Sequence, residues 1–74
     1  MSISLLMTLV GVSTDSLLAF QQSKGKEFRN ACSAAMIEVG KHHKPTDNKT
    51  QRKNIDIVMA YLLKCWQSGR KVSV

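Results

Sequence analysis

Aromatic residues are scarce in this chain: two Phe, one Trp and one Tyr, 5% of 74 residues. That argues against a surface that stacks single-stranded bases on rings interleaved with cations. Acid is scarce too, with five Asp and Glu against eleven Lys and Arg and a formal net charge of +6. The five carboxylates, Asp15, Glu27, Glu38, Asp47 and Asp56, show no paired arrangement for general acid–base work. Two cysteines are too few for a small secreted scaffold, which usually carries four or more. No apolar run approaches the ~20 residues of a membrane-spanning helix. There is no Gly-rich phosphate loop, no repeat and no low-complexity segment. A chain of 74 residues allows one domain. It buries only ~60% of its unfolded surface, too little for a deep catalytic pocket. These absences exclude a membrane protein and argue against an enzyme or a small-molecule binder. At 43% hydrophobic the chain is not disordered by composition.

What is present is helical spacing between clear breaks. Gly11, Gly25, Gly40, Pro45 and Gly69 punctuate the chain. The first segment, Ile3 to Val10, has Leu5, Leu6, Leu9 and Val10 and no charge. It has the apolar character of a signal-peptide core but lacks a basic start and a clean cleavage site, so it reads as a folded helix. The second starts at Ser13 or Thr14, either of which can cap it, with Asp15 in its first turn. The third spans about Lys26 to Lys41 and buries Phe28, Ala31, Cys32, Ala35 and Val39. Lys26, Arg29 and Lys41 lie to one side of that stripe, Glu27 and Glu38 to the other. The spacing predicts an all-α single domain over residues 1–74, a compact bundle of three to four short helices.

The last helix is capped by Thr46 or Asp47 and ended by Gly69. Ile55, Val58, Met59, Leu62 and Trp66 form its stripe; Leu63 widens it on one side, Ile57, Tyr61 and Cys65 on the other. A helix apolar over most of its circumference belongs at a centre or an interface. Three short helices are too few to surround it, so Ile57 and Tyr61 are expected to be covered by another chain, most simply in a homodimer. Cys32 and Cys65 both fall on apolar stripes and are expected to be reduced and unpaired in a cytoplasmic protein.

The stretch from Leu6 to Phe20 resembles a helix-turn-helix. Gly11 would sit in the turn, Val12 would plug the core, Ser13 would cap the second helix, and Leu17 and Phe20 would anchor it. Met7 departs from the pattern, standing where the helix crossing usually takes Ala or Gly. The resemblance implies a recognition helix presenting Ser13, Thr14, Ser16, Gln21 and Gln22 to DNA. The plainer alternative is an ordinary helical hairpin, with Asp15 poorly placed to face phosphate.

Lys41, Lys44, Lys49, Arg52 and Lys53 give residues 41–53 a net charge of +4, with Asp47 the one acid. Cations in the first turns of a helix oppose its dipole at ~0.3–1 kcal/mol each. Structure alone gives no reason for them, whereas an anionic partner does. Lys26 and Arg29 are candidates for the same surface. A solvated loop is the plainer reading. His42 and His43 with Cys32 and Cys65 match no zinc spacing, so no metal or other cofactor is expected. Cys32 lies among apolar residues, where thiols are inert. Two functions follow. The first is a DNA-binding regulator using the basic segment, with the Gly11 hairpin as a second candidate surface. The second is a protein-binding adaptor or inhibitor, of the kind phages and mobile elements encode, docking an acidic partner through the same cations and the apolar stripe.

Overall fold

The computed structural model describes residues 2–42 and 48–73. These residues form four helices and no strand: α1 (Ile3–Leu9), α2 (Thr14–Gln22), α3 (Lys26–His42) and α4 (Lys49–Ser68). The all-α bundle is the architecture the spacing predicts. Among the described residues no helix is long and apolar enough to cross a membrane.

Seven residues are too few for a helix to persist by itself in water, so α1 depends on its ends and on packing. Ser2 caps it, its hydroxyl accepting from the Leu5 N–H at 3.3 Å. At the other end Gly11 takes φ 106°. The Gly11 N–H donates to the Thr8 carbonyl at 3.3 Å and the Val12 N–H to the Met7 carbonyl at 2.9 Å. That crossed pair is the Schellman arrangement, and it requires the left-handed residue that glycine supplies without strain. Met7 and Val12, joined by the bond that spans more residues, are both buried.

Arg29 of α3 reaches Gly69 at the carboxyl end of α4, so α3 and α4 run antiparallel. Between them α3 presents small residues, Ala31, Cys32 and Ala35, to the core that holds Val58, Leu62 and Cys65 of α4. Small side chains on one helix allow a close approach of the axes. The cap of α4 is Asn48, whose side chain accepts from the Gln51 N–H at 3.2 Å; Thr46 and Asp47, the residues expected there, lie outside the described residues. Gly69 ends α4 at φ 73°, as expected from its position.

The hairpin of α1 and α2 is fastened to α3 and α4 by Phe20. Its ring centroid lies 5.0 Å from that of Phe28 on α3 and 6.2 Å from that of Tyr61 on α4, both tilted. Tilted aromatic pairs add about 0.5–1.5 kcal/mol beyond area burial. This corrects the expectation for Tyr61. Its ring is half-buried within its own chain, because the Phe20 ring of α2 reaches the flank of α4 that helical spacing left open. Ile57 stays exposed, at 37%. The arc left open by the fold therefore comprises Ile57 and the outer part of Tyr61.

Cys32 and Cys65 are free thiols and both are fully buried. Burial, with a smaller contribution from Cys65, pushes the Cys32 thiol up from 9.0 to about 11. Burial first, then a hydrogen bond with Cys65, pushes the Tyr61 hydroxyl up from 10.0 to about 12. Each group holds its proton more tightly folded than unfolded. Their contribution to stability is therefore intact below about pH 9 and is lost as pH rises through 11 to 12.

Two outcomes are expected. Phe20→Ala should cost about 3–5 kcal/mol in urea unfolding of the whole chain; a loss under about 1 kcal/mol would show that Phe20 does not fasten the two hairpins. Urea midpoints measured from neutral to alkaline pH should begin to fall near pH 9, and Cys32→Ala should make that fall shallower. An identical fall in both proteins would remove Cys32 as its cause.

Candidate functional site

The amino end of α2 is where the helix-turn-helix resemblance places DNA contacts. The local geometry matches the pattern: Ser13 caps α2, accepting from the Ser16 N–H at 3.2 Å, and Val12 and Phe20 are buried. The site is nevertheless filled from α3. Glu38 accepts from the Ser13 N–H at 3.1 Å, from the Ser13 hydroxyl at 3.2 Å and from the Ser16 hydroxyl. Asp15 adds a second carboxylate in the first turn. The positive end of the α2 dipole is thus already met by negative charge, which repels a phosphate. Gln21 donates to the Ser4 hydroxyl at 3.3 Å. Of the five residues named from the resemblance, Thr14 and Gln22 are exposed and hold no such bond, while Ser13, Ser16 and Gln21 are used inside the fold. The turn was legible in the sequence; the long-range partner of its cap was not.

The cations named from the sequence divide into two groups. Lys49, Arg52 and Lys53 are exposed on the first two turns of α4, where the first turn contains no acidic residue and the second contains Asp56. With Asp56, Ile57 and Ala60 they line a shallow groove along α4. Lys41 is exposed near the end of α3, the end from which the chain leads into α4. Lys44 and His43 lie outside the described residues. Lys26 and Arg29 do not join this group. At 1.5 Å rise per residue, Lys26 stands about 22 Å along α3 from Lys41, at the opposite end of the hairpin.

There Lys26 and Arg29 meet cations that helical spacing does not single out. Lys24 comes from the turn between α2 and α3, and Arg70 and Lys71 follow α4. They surround two adjoining hollows of about 380 and 330 Å³ that share Gly25 and Gly69 as walls. Turn residues far apart in the chain build this surface, and no periodicity marks it in advance.

The remaining chemistry is spare. Cys32 is buried and its thiol is protonated near neutral pH, so it is not a thiolate nucleophile. Among the described residues no three His, Cys, Asp or Glu converge as a metal site. Comparison with protein-family models, curated proteins and solved structures finds no match to this chain.

Glu38→Ala should cost about 1–2 kcal/mol by uncapping α2. Glu38→Gln, which keeps an acceptor, should cost less. Urea midpoints equal to the unmodified protein in both variants would show that Glu38 does not hold the α2 amino end.

Proposed function

We propose that this chain is a small non-enzymatic nucleic-acid-binding protein that grips the phosphate backbone of duplex DNA without reading base edges through α2. The observation that supports this most is the row of cations on the first turns of α4. Lys49, Arg52 and Lys53 are exposed, they oppose the helix dipole, and the first turn holds no carboxylate to balance them. Asp56, one turn on, is a single acid beside three cations; a polyanion supplies the remaining counter-charge, and Lys41 lies at the same end of the hairpin. The carboxylates at the amino end of α2 argue against base readout there, which leaves backbone contact and little sequence preference.

A second reading has its own support. The α4 groove also contains Ile57 and Ala60 beside the cations. Apolar residues flanked by cations suit an acidic protein surface better than a phosphate backbone.

Duplex binding followed by fluorescence anisotropy over a range of salt tests the reading. Lys49→Ala, Arg52→Ala and Lys53→Ala should each weaken binding about equally for unrelated sequences, and each should flatten the slope of log K on log salt by about one unit. Folding stability should hold or rise by ~0.3–1 kcal/mol. A sequence preference abolished by Thr14→Ala or Gln22→Ala would overturn this reading in favour of a recognition helix. Undetectable DNA binding even at low salt would overturn it in favour of the acidic protein partner.

A further inference from the structure

The basic hollows at the far end of the hairpin are unlike the α4 row, because one of their cations, Lys71, is held in place and a second, Arg29, lies against backbone. The Arg29 guanidinium lies against the backbone of Gly69, where a Cβ would stand 3.3 Å from Nη2 and 3.5 Å from Nε. Gly69 is in the left-handed region at φ 73°, which glycine adopts without strain. The Lys71 ammonium donates to the Gln21 carbonyl at 2.6 Å and sits 5.7 Å from the centroid of the Phe20 ring. That uses one of its three donors and leaves the others free. Lys24, Lys26 and Arg70 are exposed around the same walls. No carboxylate lines either hollow; Glu27 is exposed nearby but outside both linings.

The fold accounts for part of this cluster. Cations favour the negative carboxyl end of a helix, which suits Arg29, Arg70 and Lys71 beside the end of α4. Lys24 and Lys26 have no such reason, because they stand at the positive amino end of α3. Five cations with no carboxylate in the lining repel one another, and fixing Lys71 adds to that cost. A bound dianion relieves the repulsion at both helix ends at once. Arginine offers it a planar pair of donors and lysine a point charge.

We propose that the hollow between the α2–α3 turn and the carboxyl end of α4 is a phosphate-binding site, with Lys71 as a fixed donor and Arg29, Lys24, Lys26 and Arg70 closing around the ligand. The phosphate is either that of a small phosphate ester or that of a nucleic-acid strand. The site stands apart from the α4 cations and does not depend on the duplex reading made for them.

The test uses the whole chain, isotopically labelled, with amide shifts followed by NMR at low salt. One titration uses inorganic pyrophosphate and a second a short DNA duplex. Pyrophosphate should shift the amides of Lys24, Gly25, Gly69 and Arg70 saturably. The double variant Lys24→Glu with Arg70→Glu should weaken that binding at least ~tenfold, and Lys49→Ala should leave it unchanged. Arg29→Gln removes the guanidinium and should weaken binding too, with its urea midpoint measured to check that it folds. Duplex shifts at the same amides would identify strand phosphates as the source, and shifts with pyrophosphate alone a small ester. Non-saturating shifts, shifts spread equally over Lys49, Arg52 and Lys53, or unchanged affinity in the double variant would overturn the site. Pyrophosphate binding without duplex binding would instead overturn only the reading made for α4.

Discussion

The ring of Phe20 is where three of the four helices meet. It belongs to α2, rests on Phe28 of α3, and has Tyr61 of α4 against its other flank. The chain has four aromatic residues, and three of them are placed in this one contact; the fourth, Trp66, is largely exposed. A protein of this size has few large side chains with which to join its layers. The hairpin of α3 and α4 is cored by small residues that let the helices lie close. The short hairpin of α1 and α2 needs one bulky anchor, and Phe20 supplies it. The Lys71 ammonium over the same ring ties the segment after α4 to this contact as well.

The second constraint is how few carboxylates the chain has. Glu38 is used to hold the amino end of α2, through Ser13 and Ser16. A carboxylate used for capping is not available to balance the cations. The positive charge consequently collects at the two ends of the α3–α4 hairpin, and the hairpin of α1 and α2 is left without basic residues. A helix-turn-helix that reads DNA needs the opposite distribution, with its second helix open to phosphate. The geometry of the turn and the electrostatics of the turn therefore point in different directions. The electrostatics decides, because net attraction to a polyanion comes before any contact with a base.

Helical spacing located the elements well. The stripe of α3, the left-handed turn at Gly11 and the stop at Gly69 all follow from local rules, and local rules are readable in one dimension; in α4 Trp66, expected on the stripe, is exposed, and Cys65, expected on its flank, is fully buried. Tyr61 shows the limit. On a helical wheel it widens an arc that looks too broad to bury, and only the docking of α2 reveals what covers it. Glu38 shows the same limit for polar groups. Its side of α3 was legible, but its partners lie 22 and 25 residues away. The basic hollows were illegible for a third reason: Lys24, Arg70 and Lys71 come from turns and a tail, where no period applies. Lys26 and Lys41, grouped by their side of one helix, are separated by its length.

Backbone binding through α4 requires that the amines of Lys49 and Lys53 become inaccessible when duplex DNA is bound. Lysine acetylation with and without duplex, read residue by residue by mass spectrometry, measures this directly. Lys49 and Lys53 should be protected by duplex, the protection should vanish as salt is raised, and Lys64 further along α4 should label equally in both states. Equal labelling of Lys49 and Lys53 with and without saturating duplex would contradict a nucleic-acid interface on this helix.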